Sequence, residues 1–472
     1  MSKFYITNSI PYVNAQPHIG HALEFIQSDV VNRYQRLLGN DVFYLCGSDE
    51  NAIKNVQAAE KAGMDIQSFI DEHAKEFQDL ADALNIHFDI FQKGSDQSHH
   101  KASQKLWELC EKNGDIYKKS YKGLYCVGCE EFKSSSDLDE NGECFEHPGK
   151  SLEEVEEENY FFKLSKYQDF LLELIESNTY EVVPEFRKNE VTSFIKTGLE
   201  DFSISRSNRR AKNWGVPVPG DPEQRIYVWF DALNIYQSGI GFGDDEDTYS
   251  KWWPANLHVV GKGIIRFHAV YWPAILQSAG LKLPKKLFVH EYFTVNGQKM
   301  SKTLGNVINP LDMIKKYGAD ALRYYCLAKI SPFQDGDFSE EKLVEAYNSD
   351  LANGLGNLVA RVAKLAENNK LIFEDQPLAI DPDVINFSEK FQFNNALESQ
   401  WQEIAKADRL LNEQKPWNLP REEAVSVIKD LIQKIRLISF SIQPFLPITS
   451  KNILKQFSGE IKSQSPLFPR IV

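Results

Sequence analysis

No run of eighteen consecutive apolar residues occurs in the chain, so a membrane-spanning helix is not expected. Cysteine is scarce, with six in 472 residues, too few and too scattered for a disulfide framework. The N-terminus has no basic region, apolar stretch or Arg-rich amphipathic segment, and it enters an apolar strand within four residues. The expectation is therefore a cytoplasmic protein without a targeting peptide. Repeats and low-complexity tracts are also missing. Positive charge is in deficit: 53 Lys and Arg face 67 Asp and Glu, a net charge of −14. The deficit is uneven, because residues 341–472 hold 16 cations and 17 anions, leaving −13 for the first 340. A field of that sign repels phosphate, so any contact with nucleic acid has to use local basic patches. What remains is ordinary for a globular chain of two to four domains, 42% hydrophobic and 25% charged.

Two stretches carry chemistry. Phe4, Tyr5, Ile6 and Thr7 read as a buried strand, followed by a polar loop and then Pro17, His18, Ile19, Gly20 and His21. Ala22, Leu23, Phe25, Ile26, Val30 and Val31 then fall near helical spacing, so a helix begins close to His18. Two imidazoles and a glycine in the first turn make an anion site, with backbone N–H groups and the helix dipole facing the ligand. About 280 positions later, Lys299, Met300, Ser301, Lys302 and Thr303 lie in a glycine-flanked loop, where two lysines three apart suit a polyphosphate. Separately, each stretch also reads as a chance helix start or a solvated basic turn.

The rest of the chain falls into recognisable parts. Asp41 to Cys46 reads as a second strand, closing on a loop that contains Asp49. Together with the first strand and helix it outlines a doubly wound parallel sheet, in which Asp49 is either a binding residue or the cap of the helix from Ala52. Residues 65–115 read as helical. Tyr117 to Lys150 is turn-rich, and in it Cys126 and Cys129 are separated by 14 residues from Cys144 and His147. Three thiolates and an imidazole at that spacing suit a closed, structural zinc site, with an unmetallated or redox-active remnant as the alternative. The glutamates from 153 to 158 read as a solvated acidic face, and residues 206–225 as an irregular basic link. Ile226 to Phe230 reads as a strand re-entering the sheet, and Leu257 to Gly261 as another. Asn309 with Pro310 starts a helix, and nearly everything from 343 onward is helical, with a stripe of Val425, Ile428, Ile432, Ile435 and Ile438.

Together the two stretches resemble the HIGH and KMSKS signatures of class I aminoacyl-tRNA synthetases, and the order of parts closely resembles the methionyl-tRNA synthetase family over essentially the whole chain. The resemblance implies a Rossmann-type doubly wound parallel α/β sheet split by a zinc-knuckle insertion and followed by a C-terminal α-helical bundle. The parts would be residues 1–115 and 226–290 for the two halves of the catalytic domain and 116–225 for the insertion. Residues 291–345 would form the loop and stem-contact region, and 346–472 the anticodon-binding domain. It implies catalytic roles for His18, His21, Lys299 and Lys302, and an ATP site built from these with Pro17, Gly20, Glu24 and Gly261. Ile10, Tyr12, Trp229, Ala232, Leu233, Tyr236, Ile264 and His268 would line a methionine pocket, with Asp49 holding the ammonium. Asn357, Arg361 and Trp417 would read the anticodon, although without the family they read as helix-packing and bundle-core residues. Cys126, Cys129, Cys144 and His147 would bind one structural zinc, and magnesium would accompany ATP. The implied reaction joins L-methionine to tRNA(Met), initiator included, through methionyl-adenylate, and a monomer is expected. One departure stands out: Gly263 lies where the family usually has an aspartate expected to hold the ATP ribose. Editing synthetases for isoleucine, valine and leucine carry a large insertion, for which about 110 residues between the sheet halves leave little room. A cysteine enzyme would hold zinc in its catalytic pocket, but Cys46, Cys110 and Cys326 are not grouped like ligands. A non-catalytic RNA-binding relative is the remaining alternative, and the intact histidines and lysines speak against it.

Overall fold

The computed structural model describes residues 2–126, 131–133, 137–145, 149, 152–300 and 305–471. At its centre six parallel strands lie in the order Ile90–Lys93, Asp41–Ser48, Lys3–Asn8, Leu257–Gly261, Lys286–His290 and Glu181–Val183. Tyr5, Ile6, Leu45, Cys46, Val259, Val260, Leu287 and Phe288 are buried. Near-continuous apolar runs of this kind belong to a sheet covered on both faces. The chain winds outward from Lys3–Asn8 through Asp41–Ser48, then returns on the other side, where Ile6 pairs with Leu257 and Asn8 with Val259. This reversal is a topological switch point, and the crevice outside the C-terminal strand ends is where such sheets bind ligands. The doubly wound expectation holds.

Three readings change. The run Ile226 to Phe230 is no sheet strand: the strand Asp221–Ile226 belongs to a separate three-stranded sheet, and the helix Val228–Ala232 follows it. Five consecutive apolar residues carry no period that separates buried strand from buried helix. The outcome follows a tertiary demand, since buried Asp231 accepts from Ser103 Oγ at 2.7 Å and Asn51 Nδ2 at 2.6 Å and meets His99 Nε2 at 2.8 Å. Secondly, residues 65–115 comprise the helices Ile66–Ala83 and Gln97–Lys112 with the sheet strand Ile90–Lys93 between them. Four residues are too few to show a strand's alternation. Lastly, the stretch 206–225 is more ordered than a link, containing the strands Ser205–Ser207 and Pro217–Val218 and the short helix Asn208–Ala211.

The stretch 116–225 also supplies the central sheet's edge strand Glu181–Val183. Most of the remainder is antiparallel, with Ile116–Cys126 paired along Glu153–Phe162. The glutamate run is thus a strand whose outward acids meet lysines across the ladder, Lys122 with Glu154 at 2.8 Å and Lys118 with Glu158 at 3.3 Å. The C-terminal part packs the helices Asn357–Asn368, Phe393–Gln414, Arg421–Ile442 and Pro447–Gln456. Of the expected stripe, Ile428, Ile432, Ile435 and Ile438 are buried and Val425 is half-buried. Arg323 ties this bundle to the catalytic sheet. Its guanidinium lies 2.8 Å from Asp29 on the helix Ile19–Leu37 and donates to the carbonyls of Pro444 and Phe445 at 2.9 and 2.8 Å. Both charged side chains are wholly buried.

Candidate active site

The loop after the first strand ends at buried Pro17, and His18 caps the helix Ile19–Leu37 in an extended conformation. His18 Nδ1 accepts from the Gly20 N–H at 3.1 Å, and His21 Nδ1 accepts from the His18 N–H at 3.1 Å. The two rings stack at 3.8 Å. A nitrogen that accepts from an amide carries no proton, so both imidazoles hold their proton on Nε2 and present neutral N–H donors. Burial, aided by the neighbouring His18, keeps His21 well below the usual histidine range. The pair is a hydrogen-bond device rather than the cationic one that two histidines suggest. A Cβ at Gly20 would stand 3.0 Å from the His18 ring and 3.6 Å from Met300 Cε, so a side chain here would press on the His18 ring.

That second distance joins the two motifs. Met300 packs against the same apolar core as Ile19, and the Ile19 N–H donates to the Ile308 carbonyl at 3.0 Å, just past the lysine-bearing loop. Lys302 lies outside the described residues, as does the side chain of Lys299.

One turn beyond His21, Glu24 is buried. Its Oε1 accepts from the Ser9 amide at 2.9 Å and from the Ser9 hydroxyl, and its Oε2 meets His290 Nε2 at 2.9 Å. Burial pushes this carboxyl up, yet the His290 and Ser9 contacts outweigh it and hold it below the ordinary range. His290 Nδ1 faces the Glu291 carbonyl at 2.8 Å, which holds the ring in line with Glu24. Gly261 ends the strand Leu257–Gly261 at the switch point beside them.

Beyond it an aromatic cluster assembles. Tyr12 and Asp49 form an isolated parallel bridge, the Asp49 N–H donates to Pro11 at 2.9 Å, and Asn55 holds the Asp49 carbonyl at 2.9 Å. Asp49 is not a helix cap, because Ala52 occupies the N-cap of Ile53–Ala62. Trp229 stacks on Phe267 at 3.7 Å and meets Tyr12 edge-on at 6.3 Å. Ala232 packs with Tyr12 and Trp229, while Ile10 and Ile264 rest half-buried on the core that holds Leu233 and Tyr236. His268 Nδ1 donates to the Ile264 carbonyl at 2.9 Å, so its Nε2 accepts from the Tyr236 hydroxyl at 2.7 Å. Burial lowers His268 to about 4, leaving it neutral. All nine expected pocket residues are therefore linked.

Sequence reasoning missed the residues that hold these groups in place. Asp231, His99 and Asn51 brace the Asp49 loop, and His258 joins Thr7 Oγ1 at 2.6 Å beneath Tyr236. Their signal, a buried acid or histidine within an apolar run, is indistinguishable from core without coordinates. Of the metal-like set, Cys126 and Cys144 are buried, while Cys129 and His147 lie outside the described residues. In the bundle, Asn357 and Trp417 are exposed, Trp417 by 51%, so neither is the packing residue it resembles in sequence. Arg361, one helical turn after Asn357, pairs with Asp408 at 2.8 Å and donates to Asn412 at 2.6 Å near the end of Phe393–Gln414, four residues before the turn Pro416–Asn418 that carries Trp417.

Comparison with known proteins agrees with this geometry. The family model described as tRNA synthetases class I (M) matches residues 4–363. A methionine–tRNA ligase of Thermotoga maritima is 42% identical across 98% of this chain and 76% of its own length. One from Brucella suis is 38% identical across 100% and 98%. The Mycobacterium tuberculosis methionyl-tRNA synthetase in complex with methionyl-adenylate superposes with a TM-score of 0.92 at 35% identity, covering 100% of both chains. Its free form superposes at 0.85 and 33% identity, covering 100% of this chain and 99% of its own. With matched sequence, fold and a crevice in which both signature motifs meet, the chain belongs to the methionyl-tRNA synthetase family of class I tRNA synthetases.

Proposed function

We propose that the crevice takes L-methionine on its aromatic side and ATP on its histidine side, forms methionyl-adenylate, and passes the methionyl group to tRNA(Met), initiator included. The observation that supports this most is the approach of Met300 to Gly20 and the bond from the Ile19 N–H to Ile308, which bring the chain on both sides of the lysine-bearing loop to the histidine turn. A methionine carboxylate oxygen attacks the α-phosphorus in line as the bond to the β-phosphate breaks, and its electrons leave with pyrophosphate. A hydroxyl of the terminal tRNA ribose then attacks the methionyl carbonyl carbon, and AMP departs. Neither step needs an enzyme nucleophile, so catalysis rests on positioning and on donors aimed at developing charge.

Asp49 pairs with the substrate ammonium, which a buried charge requires. Trp229, Tyr12, Ile10, Ala232, Leu233, Ile264, Tyr236 and His268 enclose the polarisable thioether. The Nε2–H groups of His18 and His21 serve the α-phosphate, Lys299 and Lys302 the departing pyrophosphate, and Pro17, Gly20, Glu24 and Gly261 shape the floor. A magnesium ion accompanying ATP would supply further positive charge beside that of Lys299 and Lys302. The buried thiols of Cys126 and Cys144 suit zinc chemically, and together with Cys129 and His147 they would hold one ion that would clamp the small antiparallel module. Asn357, Arg361 and Trp417 read the anticodon by base-edge bonding and stacking. We place the protein in the cytoplasm as a monomer. Among the described residues no helix is long and apolar enough to cross a membrane.

The test is ATP–pyrophosphate exchange with each amino acid in turn. Exchange with methionine alone is expected, and a stronger response to another amino acid would refute the assignment.

A further inference from the structure

The dipeptide Asn296-Gly297 turns the chain just ahead of Lys299. Both residues stand at positive φ, 52° and 74°, which an Asn-Gly pair adopts readily, and they close a tight hairpin of the strands Phe293–Val295 and Gln298–Lys299. So short a hairpin is marginal alone. A third strand, Gly336–Phe338, lies parallel to Phe293–Val295, and in this register Thr294 stands opposite Lys299 on one side and Asp337 on the other. The Asp337 carboxylate reaches past its own strand to the turn. Its Oδ1 accepts from the Gly297 N–H and from the Thr294 hydroxyl, both at 2.7 Å, and its Oδ2 meets the Lys342 ammonium at 2.6 Å. Lys342, the Gly297 amide and the Thr294 hydroxyl hold this carboxyl down at about 2, so it stays charged at neutral pH. The other turn amide, that of Asn296, donates to the Phe338 carbonyl at 3.2 Å. Asp337 is fixed in turn through its own carbonyl, which accepts from the hydroxyl of buried Tyr325 at 2.9 Å.

We propose that Asp337 is a positioning residue for adenylate formation: its carboxylate pins the hairpin turn and so sets how the strand end carrying Lys299 approaches the histidine turn. Met300, the next residue, is the one whose Cε comes within 3.6 Å of a Cβ at Gly20, so a small swing of the hairpin is felt at the crevice. Past the loop the chain is tied separately, by the Ile19 N–H to the Ile308 carbonyl at 3.0 Å. Asp337 and this bond thus anchor the two ends of the lysine-bearing stretch. Lys342 offsets the charge of the carboxylate, so the anchor does not oppose a triphosphate nearby. The role rests on reading that stretch as part of an ATP site.

The experiment is single-turnover formation of methionyl-adenylate by the full chain at saturating ATP and methionine. It compares the parent protein with Asp337→Ala, Asp337→Asn, Lys299→Ala and the double variant Asp337→Ala/Lys299→Ala. Asp337→Ala is expected to slow the step about three- to tenfold, the worth of one hydrogen bond in the barrier, with the KM for methionine unchanged. Asparagine keeps the oxygen that accepts from Gly297 and Thr294, so Asp337→Asn should restore most of the rate. In the Lys299→Ala background the Asp337→Ala change should cost little more, because the carboxylate acts through that lysine. An unchanged rate in Asp337→Ala, no recovery with asparagine, a parallel loss of methionine affinity, or the same fold loss in both backgrounds would overturn the proposal. No adenylate from the parent protein, or an unchanged rate in Lys299→Ala alone, would instead overturn the reading of the site, so the two failures are told apart.

Discussion

His268 carries its proton on Nδ1, and this sets the polarity of the pocket floor. The Ile264 carbonyl fixes that tautomer, which in turn fixes Tyr236 as the donor between them. The arrangement has a pH signature. The folded protein holds His268 at about 4, whereas an unfolded chain titrates near 6.5, so below that value the unfolded state binds more protons. Stability is therefore full above about 6.5 and falls as pH drops toward 4, by about 3 kcal/mol for a group this buried. His21 and His258, both lowered by burial, act in the same direction. Urea midpoints measured between pH 7 and pH 4.5 should fall, and His268→Gln should flatten the fall. An equally steep decline in that variant would show that His268 contributes little. Asp49 gives a sharper test of roles. Asp49→Asn should raise the KM for methionine about 100-fold through an unpaired buried ammonium, with the KM for ATP unchanged. Equal loss for both substrates would mean that Asp49 only shapes the loop.

At the scale of elements, the legible parts were those whose local chemistry is self-contained. The cap at Asn309, where Oδ1 accepts from Leu311 at 2.9 Å, and the two signature segments could be read from residue order alone. The strand Ile90–Lys93 and the helix Val228–Ala232 could not. The first is too short to display a period, and the second is decided by buried Asp231, whose partners His99 and Ser103 lie more than a hundred positions away. The candidate site followed the same rule. The residues proposed to face the ligands were readable, but the Nε2–H tautomers of His18 and His21 were not, because they arise from bonds to backbone amides. The turn Pro416–Asn418 gives this scale its prediction. Trp417→Ala should lower tRNA charging through loss of about 1–3 kcal/mol of base stacking, while methionine-dependent pyrophosphate exchange stays intact. Equal loss in both assays would remove Trp417 from the RNA contact.

Across the whole molecule, the catalytic sheet and the helical bundle are joined by a buried charge. Arg323 meets Asp29 at 2.8 Å and spends its other donors on backbone carbonyls of the 444–445 turn. Removing Arg323 takes from buried Asp29 one of its two guanidinium partners, leaving Arg33 at 2.7 Å, and strips the 444–445 carbonyls of their donor. Arg323→Ala should therefore destabilise the protein by about 3–5 kcal/mol, seen as a lowered denaturant midpoint. A shift below about 1 kcal/mol would mean that apolar packing alone joins the parts.

The larger claim is that segments far apart in the chain act on one triphosphate. It is tested most directly by single-turnover formation of methionyl-adenylate in His21→Ala, Lys302→Ala and the double variant. Each single change is expected to slow the step about 10²–10³-fold with methionine affinity preserved, as expected when a donor to developing charge is lost. The double variant should fall short of the product of the two losses, because the residues serve one transition state. An unchanged rate in either single variant would contradict the claim.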